Sequence, residues 1–121
     1  YVEEIPEAAY SILDYATKPT TLIYDKPLRV TENLIAPDNT LAIRMVKEGF
    51  CADLLKRFKK PIVSTSANMS GNPTPKSFQE IEDYILKGVD YVVNLERTNK
   101  SSKPSSIIKL SNNGEVKVIR K

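Results

Sequence analysis

The densest concentration of ligand-binding side chains is the run Lys60-Pro61-Ile62-Val63-Ser64-Thr65-Ser66-Ala67-Asn68-Met69-Ser70-Gly71-Asn72-Pro73-Thr74-Pro75. Ile62 to Thr65 reads as a short strand that empties into hydroxyls, carboxamides, a glycine and two prolines. In open α/β sheets, ligands sit beyond the carboxyl ends of strands. In an extended loop Ser64, Ser66 and Asn68 share one side, because alternate residues face one way. Their groups can donate to phosphate or ribose oxygens, and Asn68 can also accept from a base or an amine. Gly71 permits close backbone approach or a positive φ. Ser and Asn also favour turns and helix N-caps, so a purely local role stays open for each of them.

The rest of the composition narrows the chemistry. Histidine is absent, which excludes Ser-His-Asp, Cys-His and His-based zinc chemistry within these 121 residues. Catalysis here must work through positioning, cations and hydrogen-bond donors, or an Asp/Glu base. No acidic cluster has metal-ligand spacing, so no protein metal site is expected. The 18 Lys and Arg against 15 Asp and Glu give a net charge of +3, compatible with phosphate-bearing ligands but too small to specify nucleic acid. The single Cys51 excludes an internal disulfide, points to a reduced cytoplasmic setting, and reads as buried in an amphipathic helix. No apolar stretch approaches the ~18 residues that span a bilayer, so no membrane partner is expected.

The elements that must position these groups alternate along a single domain, residues 1–121. Ala8, Ala9, Ile12 and Leu13 have helical spacing within Ile5 to Tyr15. Thr20 to Tyr24 is β-branched and aromatic, a strand. Asp25 to Asn39 reads as a loop with one helical turn at Thr31 to Ile35. Leu41 to Val46 is a second strand and Phe50 to Phe58 a helix; Ile62 to Thr65 is the third strand. Ser77-Phe78-Gln79-Glu80 is a capping box opening a helix to about Leu86, ended near Gly88. Val89 to Leu95 is a fourth strand, Glu96 to Lys103 a polar flexible stretch. Ser106 to Leu110 and Glu115 to Arg120 form a hairpin around Asn112-Asn113-Gly114. The order predicts an α/β fold with a twisted sheet of mixed direction and flanking helices.

Taken whole, the run from Lys60 to Pro75 resembles the signature of the YrdC family, the threonylcarbamoyl-AMP synthases of tRNA modification. That family carries a Ser-x-Asn pair inside a Ser/Pro-Ser-Ala-Asn-x-Ser-Gly run. Lys18-Pro19-Thr20-Thr21-Leu22-Ile23-Tyr24 is similar to its Pro-Gly-Pro-x-Thr-Leu strand, with the glycine replaced. Leu41-Ala42-Ile43-Arg44 is similar to its Val-Ala-Ile-Arg strand, and Pro104-Ser105-Ser106-Ile107-Ile108 to its Pro-Ser-Thr-Val-Val element. Arg120 matches the arginine that closes the family core. The family's N-terminal Lys-x-Arg motif has no counterpart, since no lysine here is followed two residues later by Arg. The resemblance therefore implies the C-terminal part of a YrdC-like domain, incomplete at its N-terminus.

The resemblance implies synthesis of L-threonylcarbamoyl-AMP from L-threonine, bicarbonate and ATP, with Mg²⁺ arriving on the nucleotide. It assigns Ser66 and Asn68 to catalysis, and Thr21, Ser64, Asn72 and Arg120 to ATP. Ser105 and Arg44 fall to the other substrate. On the bare residues, Thr21 is equally a strand residue, Arg44 a cross-sheet ion-pair partner, and Arg120 a solvated strand end. Two other readings follow from the same resemblance. One is a double-stranded RNA or tRNA-binding module using Lys56, Arg57, Lys59, Lys60, Lys76 and the Lys100/Lys103 stretch, working with other tRNA-modification proteins. The other is a non-catalytic remnant with an exposed sheet edge.

Overall fold

The computed structural model describes residues 1–100 and 103–121. Ser101 and Ser102, inside the basic Lys100–Lys103 stretch, lie outside the described residues. Two compact units emerge, one formed by Tyr1–Arg57 with Pro104–Lys121 and one by Phe58–Lys103.

The first unit holds α1 (Glu7–Tyr15), β1 (Thr20–Asp25), β2 (Thr40–Arg44), α2 (Gly49–Phe58, its last residue in the second unit), β3 (Ser106–Leu110) and β4 (Val116–Arg120). The sheet order is β2-β1-β3-β4. β1 pairs antiparallel with β2 and parallel with β3, and β3 pairs antiparallel with β4. The mixed direction read from the element order is what forms. The parallel β1–β3 pair has nearly the whole intervening chain as its connection, whereas β3 and β4 are joined by a tight hairpin. Gly114 turns that hairpin at φ +93, and Glu115 N donates to Asn113 Oδ1.

Strand alternation sorts the sheet into two faces. Leu22 and Tyr24 on β1, Ile43 on β2, and Ile108 and Leu110 on β3 face the core, where Ala9, Ala8, Ile12 and Leu13 of α1 cover them. The helical spacing of those α1 residues is what makes this seam. Thr21, Ile23 and Asp25 face the other way. The core is small: Leu22 and Leu110 are the large side chains buried outright. After β2, Lys47 Nζ donates to the carbonyls of Leu13 and Ala16. It thereby satisfies orphan acceptors at the C-terminal end of α1, where a cation is favoured.

The helix Gly49–Phe58 forms at the expected place, but Cys51 is exposed and not buried. Ala52 takes the buried position, so the apolar face is centred one residue further on.

The second unit departs more from expectation. Ile62–Thr65 and Val89–Leu95 do not form strands; both are irregular and largely exposed, with Val63 at 63%. An apolar run becomes a strand only where another strand accepts its backbone hydrogen bonds, and none of the described residues of this unit offers one. The expected capping box is not made. Ser77 makes no side-chain cap bond, and Glu80 Oε2 accepts from Lys76 N at 2.6 Å. Ser77 is held extended in an isolated bridge with Lys100, so Phe78–Glu80 is a single 3-10 turn. The helix α3 follows at Asp83–Lys87.

Candidate functional site

Four residues of the first unit stand in one row across the sheet. Thr21 on β1 is the register partner of Arg44 on β2 and of Ile107 on β3, and Ile107 is the partner of Arg120 on β4. Because the outer strands run against the inner ones, the row joins the second residues of β1 and β3 to the last residues of β2 and β4.

Arg120 reaches this row through a register shift. Val116 and Val118 pair with Leu110 and Ile108, residues of the covered face. Simple alternation would put residue 120 with them. The pairing steps from Ile108↔Val118 to Ile107↔Arg120, leaving Ile119 as the extra residue of a β-bulge. A bulge re-aims the side chains beyond it, and here it moves Arg120 to the face of Thr21.

Thr21, Ser105 and Arg120 converge. Thr21 Oγ1 and Ser105 Oγ are 2.7 Å apart, and Arg120 Nε donates to the Ser105 carbonyl at 2.8 Å. With Nε engaged, the Nη edge of the guanidinium remains for a ligand, a planar fork suited to carboxylate or phosphate. Arg44 is exposed, and among the described residues no carboxylate forms an ion pair with it. The row together with Ser105 thus presents two cations and two hydroxyls on one surface, an arrangement that favours anions.

The opposite ends of β1 and β3 carry a different group, which the sequence pattern does not reveal. Lys109 Nζ donates to Asp38 Oδ2 at 2.8 Å, and Thr40 Oγ1 donates to Asp38 Oδ1 at 2.7 Å. These bonds, with Lys109 the larger cause, hold the Asp38 carboxyl below its usual range. The Asp38 bond likewise raises the Lys109 ammonium. Asp25 Oδ2 accepts from Asn112 N at 2.9 Å, tying the hairpin turn to β1. Nothing in the local sequence links Asp38 to Lys109, seventy-one positions apart. This group is a structural tie.

In the second unit the Ser/Asn loop is closed by its own side chains. Asn68 Nδ2 donates to the carbonyls of Met69 and Asn72, and Asn72 N donates to Met69 O. Gly71 turns at φ +87, the left-handed conformation its sequence position suggested. Asn72 Nδ2 reaches Glu82 Oε1 at 3.2 Å. Ala67 lines a 270 Å³ apolar cleft with Phe78, Ile81, Ile85 and Val89, which anchors the loop through its one small apolar residue. Ser64 and Ser66 are exposed. Arg97 lies 4.5 Å from the Phe78 ring centroid and donates to the carbonyls of Val92 and Val93.

Among the described residues no cluster of three or more His, Cys, Asp or Glu could hold a metal ion. No helix there is long and apolar enough to cross a membrane.

Comparison with known proteins gives a consistent picture. The Sua5/YciO/YrdC family model, described as telomere recombination, matches residues 1–121. A Methanocaldococcus jannaschii protein is 35% identical over 107 residues, 88% of this chain and 49% of the relative. The threonylcarbamoyl-AMP synthase of Idiomarina loihiensis is 28% identical over 116 residues, 93% of this chain and 62% of the relative. That of Pseudoalteromonas translucida is 36% identical over 78 residues, 64% of this chain and 41% of the relative. The chain thus spans about half the length of these relatives. No solved structure is significantly similar to it.

Proposed function

The chain belongs to the Sua5/YciO/YrdC family, and on that premise we propose that it forms part of a threonylcarbamoyl-AMP synthase. Such a nucleotidyltransferase makes L-threonylcarbamoyl-AMP from L-threonine, bicarbonate and ATP, for the threonylcarbamoyl modification of tRNA adenosine. The observation that carries this reading is the convergence of Thr21, Ser105 and Arg120 on one sheet face. They come from three separate stretches of a chain similar to proteins named for this activity.

In the reaction a carbamate oxygen attacks the α-phosphorus of ATP. The bond from that phosphorus to the bridging oxygen of pyrophosphate breaks, and pyrophosphate leaves. Charge spreads over phosphate oxygens, so positioned donors and cations do most of the work. In the first unit, Thr21 and Arg120 are assigned to the nucleotide, and Ser105 with Arg44 to the carboxylate or carbamate. In the second, Ser64 and Asn72 are assigned to the nucleotide, and Ser66 and Asn68 to the reacting groups. Mg²⁺ would enter as the counter-ion of ATP. A cytoplasmic location, where tRNA is modified, belongs to the same reading.

Calorimetric titration with ATP and Mg²⁺ tests it. The wild-type chain is expected to bind ATP, and Arg120→Ala is expected to weaken binding by about tenfold or more. ATP affinity that is indifferent to both Arg120→Ala and Thr21→Val would overturn the assignment of this face.

A further inference from the structure

The helix α2 carries an apolar stripe that nothing covers. Phe50, Leu54 and Phe58 stand four residues apart and so share one face. They are 45%, 40% and 53% exposed. Ala52, the buried residue of the helix, lies on the opposite side. Asp53 and Arg57 border the stripe along one flank, three residues beyond Phe50 and Leu54 respectively. They are themselves four apart, the spacing of an intrahelical ion pair, yet among the described residues neither forms one. Both are exposed. The chain exposes 9910 Å² in all, against about 6,600 Å² for a folded monomer of 13.6 kDa. It therefore has far more surface to give to a partner than a self-sufficient monomer of its size.

We propose that this stripe is a self-association surface, taken by the same helix of a second copy in antiparallel orientation. A two-fold axis at Leu54 sets Leu54 against its own counterpart and Phe50 beside Phe58 of the second copy. The same axis brings Asp53 to Arg57 of the second copy and repeats that ion pair in the other direction, as an isologous interface requires. The stripe and its charged flank are thus self-complementary. A parallel pair would set Asp53 against Asp53 and Arg57 against Arg57, so charge selects the antiparallel arrangement. A helix of 10 residues makes a small interface, which places the association at the weak, reversible end of the scale. The inference goes beyond the proposed function. ATP binding at Thr21 and Arg120 can fail without touching it.

Sedimentation equilibrium of the full chain over a wide concentration range tests it. The expected result is a reversible monomer–dimer equilibrium. Leu54→Glu sets two carboxylates against each other at the axis and is expected to leave only monomer. Asp53→Arg and Arg57→Asp each bring like charges together across the interface, and each is expected to weaken the dimer about tenfold. The double variant Asp53→Arg/Arg57→Asp restores opposite charges and is expected to return to within about threefold of the parent. That rescue is its own control, since a variant that had merely lost its fold would not regain affinity on a second substitution. A chain that stays monomeric at every concentration would overturn the proposal and leave the stripe to a different protein. A dimer indifferent to Leu54→Glu, or a double variant as weak as the single ones, would overturn it as well.

Discussion

Thr21 Oγ1 and Ser105 Oγ lie 2.7 Å apart, although 84 positions separate them in the chain. The parallel ladder of β1 and β3 makes this contact, pairing Thr20 with Ser106 and so setting the residue before β3 beside Thr21. The two hydroxyls should act as a unit. Thr21→Val and Ser105→Ala are each expected to cost about 1 kcal/mol of stability, and the double variant less than the sum. Urea denaturation of the four chains measures the coupling. Strict additivity would mean that the bond contributes nothing.

Ile119, the residue that the bulge absorbs, is expected to be dispensable for placing Arg120 on the face of Thr21. Ile119→Ala changes an exposed residue and should leave the fold and ATP affinity within about 0.5 kcal/mol of the parent. Deleting Ile119 removes the bulge and sets the arginine directly after Val118, still opposite Ile107 and on the face of Thr21. ATP affinity should then stay well above that of Arg120→Ala, within about threefold of the parent. Titration of both variants checks this; a tenfold loss on deletion would mean that the face of the arginine alone does not set affinity.

The Asp38–Lys109 pair should give stability a window in pH. The Asp38 carboxyl is held below its usual value, so its contribution is complete above the usual carboxylate range. That contribution is lost as pH falls through the lowered value. The Lys109 ammonium is raised, so its contribution is complete below its usual value near 10.5 and is lost as pH rises through the raised one. Burial raises the Tyr24 phenol, Tyr10 adding to the effect, which weakens the fold further at alkaline pH. Thermal melts across pH should show that Asp38→Asn removes the acid limb of this dependence. The pair is exposed, so the amplitude will be small.

Core truncation should be severe. Leu22 and Leu110 are 0% and 1% exposed and meet under α1. Leu22→Ala or Leu110→Ala is expected to cost about 2–5 kcal/mol, a large share of the roughly 5–15 kcal/mol available to a small protein. Val63→Ala, at an exposed position, should cost no more than about 0.5 kcal/mol. Urea midpoints separate the two classes.

Lys47→Met should weaken the end of α1. The ammonium holds the carbonyls of Leu13 and Ala16, and its loss is expected to cost about 0.3–1 kcal/mol. Hydrogen exchange at the amides of the last turn reports this locally.

Local patterns by themselves determined much of the first unit. The β-branched run at Thr20, the alternation after Ser106, the Asn-Asn-Gly turn and the spacing of Ala8, Ala9, Ile12 and Leu13 are satisfied by near neighbours. They form as read. The loop glycine at 71 and the hydroxyl- and carboxamide-rich turn at residues 60–75 were equally legible, because turn chemistry and hydroxyl content are properties of the chain itself. Only tertiary structure decided the rest. Whether Ile62–Thr65 and Val89–Leu95 become strands depends on a partner that supplies backbone hydrogen bonds, and an apolar run does not specify one. The side of the sheet on which Arg120 lies depends on a one-residue shift in pairing, which flips a side chain from one face to the other. The approach of Asp38 to Lys109 and of Thr21 to Ser105 depends on strand order. The commitment of the Asn68 amide nitrogen to two carbonyls, with its oxygen left over, depends on how the loop closes.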